Sequence, residues 1–169
     1  MSKRLIGTHS GTGRKLIAWD ELDNADDIEV LAKLRASTDG GTAGMGVGAI
    51  VLRASGAAGS ENAFVFTQLT AGCSIRRYSN GGEAQLQYGG GASVTVNQWY
   101  WLRAQAIGTA LKLRNWRDGD AEPGTWSAQT TSALFESGWV GIGHGATSGV
   151  LSCDFFSYGL NGAPAPGPT

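Results

Sequence analysis

The residues with most to offer a ligand are Trp99, Trp101, Arg103, Trp116 and Trp126, gathered in the second half of the chain. Indole faces stack on the apolar C–H faces of sugar rings, and Arg or Gln side chains complete the polar contacts, so this set could bind glycan. Trp and Arg are also the side chains that dominate protein interfaces. A third use is plain packing, in which the rings cover a sheet face. Residue types alone leave all three open.

Enzyme chemistry has weaker candidates. Catalysis would need paired acids, a nucleophile beside a base, or a metal cage. Asp20, Glu21, Asp23, Asp26 and Asp27 crowd together just before an apolar run from Ile28, where a solvated turn is expected. His9 and His144 are the only histidines, neither stands in a nucleophile motif, and both read as turn or loop residues. The Gly7–Lys15 stretch is glycine-rich but lacks the GxxxxGK spacing with which backbone amides and a lysine cradle phosphate. Gly44, Gly46 and Gly48 read as a loop or bulge ahead of a strand.

Metal ligands are scarce too. Asp118, Asp120 and Asp154 are the candidates for calcium, a hard cation that needs several oxygen donors. The run from Asp118 to Glu122 is too short for an EF-hand and suits a polar turn whose Asp side chains bond nearby amides. Cys73 and Cys153 have no CxxC partner, and both are expected to be small buried thiols without a disulfide. No cofactor is expected.

The elements that must position these residues alternate with period two. Ile28, Val30, Ala32, Leu34 and Ala36 share one face of a strand. Further strands are expected at Val47–Arg53, Ala63–Leu69, Cys73–Tyr78, Ala84–Tyr88, Val94–Val96, Trp99–Ile107, Leu111–Trp116, Trp139–His144 and Val150–Tyr158. Gly108-Thr109 reads as a hairpin turn. Across it, Tyr100, Leu102, Ala104, Leu111 and Leu113 form an aliphatic face, with Trp99, Trp101, Arg103, Gln105, Lys112, Arg114 and Trp116 opposite. Short strands without intervening helix predict an all-β, two-sheet antiparallel jelly-roll sandwich.

The chain of 169 residues is the size of one such sandwich, and its 27 glycines, about twice the usual share, suit tight turns. Three parts are expected: an N-terminal arm with a first strand over 1–27, the sandwich over 28–162, and a Pro/Gly-rich tail over 163–169. Met1–Gly13 and Ala163–Thr169 have little capacity to join a core; the tail is expected to be held by its own domain or by a neighbouring chain, and order at both ends to come most naturally from neighbouring subunits. A net charge of −1 gives no field for nucleic acid, and no run of about 18 apolar residues or secretory signal is read from the sequence.

The segment Gln98–Gln105, followed by Leu111–Trp116, Asp118-Gly119-Asp120, Glu122-Pro123 and Trp126, resembles the central hairpin of concanavalin A-like, laminin-G-like jelly rolls of bacteriophage structural proteins. Gly138–Gly143 and Cys153–Gly159 resemble the strands that close such domains. The resemblance implies two curved sheets and a non-enzymatic virion protein, a capsid decoration or tail-associated module. It would be made in the host cytoplasm and displayed in several copies, as a homo-oligomer or on a lattice, against capsid or tail subunits on the virion surface. The alternative is a lectin-like module that recognises a cell-surface glycan. In jelly rolls of this type a last-strand aspartate, here Asp154, holds calcium or bonds the first strand's backbone, and the second role is expected.

Overall fold

The computed structural model describes residues 5–9, 15–19, 22, 24–39, 45–57, 59–145 and 149–168. Twelve strands are found among them and no helix: β1 (Leu5–His9), β2 (Lys15–Trp19), β3 (Ile28–Ala36), β4 (Gly48–Ser55), β5 (Asn62–Leu69), β6 (Gly72–Ser79), β7 (Gly82–Gly89), β8 (Tyr100–Ile107), β9 (Ala110–Arg117), β10 (Ala128–Thr131), β11 (Trp139–His144) and β12 (Leu151–Leu160). They form two antiparallel sheets, one of seven strands in the order β1-β2-β11-β4-β5-β6-β7 and one of five in the order β10-β9-β8-β3-β12. This is the expected jelly-roll sandwich.

Turn chemistry sets several registers. Asn80 and Gly81 both take left-handed backbone angles, with φ of 50° and 74°, and close the β6–β7 hairpin as a type I′ turn does. Between β8 and β9, where Ile107 faces Ala110, only Gly108 is left-handed, at φ 51°, the pattern of a type II′ turn. The register that follows puts Leu102, Ala104, Ala106, Leu111 and Leu113 into the core between the sheets. There they meet Ile50 and Leu52 of β4, Phe64 and Phe66 of β5, and Val140 and Ile142 of β11. A second cluster, with Ala49, Val51, Ala63, Val65 and Tyr78, is buried on the other side of the seven-stranded sheet.

Several expectations need correction. Val94–Val96 is not a strand. The run forms no ladder with a neighbouring strand, and Val94 acts as an anchor instead, buried with Ala36, Val47 and Tyr100 while its N–H donates to the Leu69 carbonyl at 3.1 Å. Neither histidine is in a loop: His9 lies in β1, and His144 ends β11 fully buried, its Nε2 3.3 Å from the Thr38 carbonyl. The segment Gly46-Val47 turns into β4 through the left-handed Gly46, whereas Gly44 lies outside the described residues. Asp20, Glu21, Asp23 and the residues 10–14 of the glycine-rich stretch also lie outside them, as do 1–4 and Thr169.

The tail departs most from expectation. Asn161 and Gly162 are left-handed, at φ 55° and 78°, and fold the chain back so that the Ala163 N–H donates to the Leu160 carbonyl at 3.0 Å. Ala165 is only 3% exposed and packs with Leu31 and Trp116 on the outer face of the five-stranded sheet. The described part of the tail is thus held by its own domain. The buried polar groups beneath it, described below, supply the attraction that apolar content alone does not.

Candidate ligand-binding site

On the outer face of the five-stranded sheet, β3 contributes Glu29, Lys33 and Arg35, β8 contributes Trp101, Arg103 and Gln105, and β9 contributes Lys112, Arg114 and Trp116. Trp101 and Trp116 are cross-strand neighbours with rings 6.2 Å apart and 13° from parallel, and Phe155 of β12 meets Trp101 edge-on at 5.3 Å. Offset stacking of this kind joins apolar area with favourable ring quadrupoles.

Cations from neighbouring strands cap the remaining indoles. The Arg35 guanidinium lies 4.6 Å and the Lys33 ammonium 5.6 Å from the centre of Trp99. Arg114 and Lys112 lie 4.5 Å and 5.8 Å from Trp126. Arg103 is buried, at 7% exposed. It pairs with Glu29 and, through Nε, with Glu122 at 2.6 Å. Burial works against its charge, but the hydrogen bonds to Glu122 and Glu29 prevail and raise its pKa. Glu122 also pairs with Arg114, whose Nη1 donates to the Pro123 carbonyl at 2.7 Å. The loop after β9 is thereby strapped onto the sheet. Arg103, Trp101 and Trp116 are thus committed to packing within the chain.

The aspartates take other roles than expected. Asp118 does not bond turn amides: its Oδ1 accepts the Trp101 indole N–H at 2.9 Å and its Oδ2 lies 2.9 Å from the Lys33 ammonium. Lys33, and secondarily Trp101, hold the Asp118 carboxyl below its ordinary range, and Asp118 in turn raises Lys33. Asp154 pairs with the same ammonium at 3.1 Å rather than with a backbone amide. The bulge at Asp154, between the paired residues Cys153 and Phe155, sets the local register there. Among the described residues, no three His, Cys, Asp or Glu side chains gather where they could hold a metal ion. Cys73 is buried, as expected, and Cys153 is exposed, contrary to expectation, because β12 is an edge strand; neither forms a disulfide.

An open cleft of about 470 Å³ lies where β9 ends. Gly90, Gly91 and Ala92 form one wall, Asp120, Ala121, Pro123, Thr125 and Ser127 another, and Asn115, Trp116 and Arg117 of β9 lie between. Asn115 fixes the first wall through a reciprocal pair of bonds with Ala92, accepting from its N–H at 3.1 Å and donating to its carbonyl at 2.8 Å. Gly91 must be glycine, since its φ is 69° and a Cβ would strike the Asn115 amide oxygen. The cations of the outer face are engaged; Arg117, on the side of β9 opposite Trp116 at the strand's end, and Asp120 are exposed and bond to no other described side chain.

Trp116, from the expected set, and Asp120, from the metal candidates, therefore meet at this cleft, and Thr125 and Ser127 there flank Trp126. Trp99 and Arg103 are not among its lining residues. Arg117 and Asn115 were not legible as site residues. A charge closing a strand usually reads as solvated, and an Asn at an inward position of an alternating run carries no mark of its role.

No family model and no curated protein matches the sequence. The fold has clear parallels among solved structures. A carbohydrate binding module, CBM66, from Bacillus subtilis is similar with a TM-score of 0.69 at 14% identity, over 93% of this chain and 91% of that one. The exoplasmic/lumenal domain of VIP36, in a calcium- and mannose-bound form, gives 0.59 at 10% identity over 95% and 79%. Sheep galectin-11, in complex with glycerol, gives 0.52 at 9% identity over 94% and 98%. At these identities the likeness concerns architecture, and by that architecture the chain is a galectin-like, concanavalin-like jelly roll.

Proposed function

We propose that this chain is a non-catalytic carbohydrate-binding module whose ligand seat is the cleft at the end of β9. The observation that carries this reading is the pairing of an unengaged guanidinium, Arg117, with an unengaged carboxylate, Asp120, beside Trp116 in a preformed cleft. Sugar hydroxyls both donate and accept, so a ligand with vicinal hydroxyls can use both charged groups. The volume falls within the usual range for small-molecule sites, roughly 300–1,000 Å³. The similar structures include a carbohydrate binding module and a mannose-bound lumenal domain, which supports the same reading.

Catalysis is disfavoured by how the acids are used. Hydrolysis of a glycosidic bond needs a carboxylic acid that keeps its proton near neutral pH. Asp118 is pushed the other way by Lys33, and Glu122 is committed to two guanidinium groups. A virion location and partners from a capsid or tail gain no support from the fold comparisons, so the glycan reading stands ahead of them.

The test is a glycan array followed by calorimetric titration of the best ligand. Saturable binding is expected, reduced about tenfold or more by Arg117→Ala and by Asp120→Asn, with no hydrolysis of the bound glycan. Because Lys33 neutralises Asp118 and Asp154, binding should persist in a calcium chelator. An array without any bound glycan, or affinity indifferent to both substitutions, would overturn the assignment.

A further inference from the structure

The tail contacts single out one residue. Ala165 donates its N–H to Glu29 Oε1 at 3.1 Å, and its carbonyl accepts from Arg103 Nη1 at 2.9 Å. Glu29 and Arg103 form a buried ion pair with each other, their side chains 5% and 8% exposed. Gln105 donates to the second Glu29 oxygen at 2.8 Å, and Glu122 holds the rest of the guanidinium. The pair is therefore fixed from both sides and presents one acceptor and one donor to a passing backbone. One residue further on, the Ser157 hydroxyl donates to the Pro166 carbonyl at 2.6 Å. The apolar walls come from Leu31 and Trp116, with Trp101 and Phe155 packed against them.

These features are those of a peptide-recognition groove, with side chains reading main-chain groups and an aromatic floor taking a small side chain. Aromatic-lined grooves suit proline-rich segments, whose ring-fixed φ lowers the entropy lost on binding. Pro164 and Pro166 flank Ala165 in this way. At 3% exposure, the seat for the Ala165 methyl has no room for a longer side chain.

We propose that the outer face of the five-stranded sheet is a binding groove for an extended segment of the pattern Pro-Ala-Pro, filled in cis by Pro164–Pro166 and able to take the same pattern from a peptide in trans. The groove does not require a covalent link to its occupant, because every contact named is to backbone or to a methyl group. The cis tail is a built-in competitor. Its short connection through Asn161-Gly162 gives it a high effective concentration, on the order of millimolar for such links. A trans ligand therefore enters only where the tail is released.

The test uses the full chain. Ala165→Arg should displace the tail while leaving Glu29, Arg103 and Ser157 in place, and a synthetic peptide spanning residues 161–169 should then bind saturably, read by tryptophan fluorescence from Trp101 and Trp116. The wild-type chain should respond at least tenfold more weakly. A peptide carrying Ala165→Leu should not bind, and adding Glu29→Gln to the Ala165→Arg chain should weaken the peptide at least tenfold. If Ala165→Arg fails to fold, Gly159→Ala releases the tail by another route, since a Cβ on Gly159 would strike the Ala163 carbonyl. A folded, tail-released variant that ignores the peptide overturns the proposal, as does equal binding of the Ala165→Leu peptide. Failure of both variants to fold also overturns it, because the tail would then be core and not ligand.

Discussion

Lys33 shows how much one residue can decide. Its ammonium sits between Asp118 and Asp154 and near the rings of Trp99 and Trp101, all reached from the middle of β3. The consequence for pH follows from the directions of the shifts. Asp118 titrates below its ordinary 3.8, so its contribution to stability is full near neutrality and is lost as pH falls through the depressed value. Lys33 titrates above 10.5, so its contribution is full below that value and is lost as pH rises through the raised one. We expect Lys33→Met to flatten the acid side of the melting-temperature profile between about pH 2 and pH 5, where wild-type carboxylates protonate. Superimposable acid limbs for the two proteins would show that the pair is electrostatically idle. Nothing in the sequence marked Lys33, since an isolated lysine on the polar side of a strand is the commonest kind of surface residue. Its partners Trp101, Asp118 and Asp154 were visible as chemistry-bearing residues, but their joint neighbour was not.

The β8–β9 hairpin is the element that the sequence specifies best. Every inward and outward position across it follows from alternation about Gly108-Thr109, and the observed register, Leu102 opposite Asn115 and Ala104 opposite Leu113, agrees. Leu102 is fully buried, and Leu102→Ala should cost about 2–5 kcal/mol in denaturant unfolding. Lys112→Ala, on the other face and in contact with Trp126, should cost no more than about 1 kcal/mol. Equal losses would mean that the inner layer repacks freely. Elements with little alternation were missed for the same physical reason. Ala128–Thr131 carries one apolar residue in four, and it is a strand only because β9 already offers it an edge. A pairing imposed by tertiary context leaves little local trace.

At the scale of the molecule, Arg53 closes one end of the sandwich. It is 3% exposed with a left-handed φ of 52° at an irregularity in β4, and burial lowers its pKa against the opposing pull of Asp27. Its donors reach the Asp26 carbonyl at 2.9 Å, the Gly108 carbonyl at 2.8 Å and the Phe135 carbonyl at 3.1 Å, with Asp27 Oδ1 at 3.4 Å. One side chain thus ties the approach to β3, the β8–β9 turn and the approach to β11 onto β4. Arg53→Met should cost about 3 kcal/mol by stranding these acceptors, measured as a shift in the denaturant midpoint, whereas a change below about 0.5 kcal/mol would show that water substitutes for the guanidinium. In the sequence Arg53 was merely the charge ending an apolar run. The sandwich itself was legible because its evidence is spread over many strands, while a knot of this kind rests on one residue and on segments that only the fold brings together.

The pairing of β3 with β12 bears on how the chain is made. Val30 faces Tyr158 across that ladder, and Glu29 is bonded to Ala165 from 136 residues away. β3 is synthesised well before β12, yet one of its edges stays unsatisfied until β12 has emerged as well. Contacts this distant in sequence close slowly, on a scale of milliseconds to seconds even for small all-β domains. During translation the β3 edge is therefore a standing invitation to the wrong strand, and nascent chains should depend on chaperones until β12 emerges.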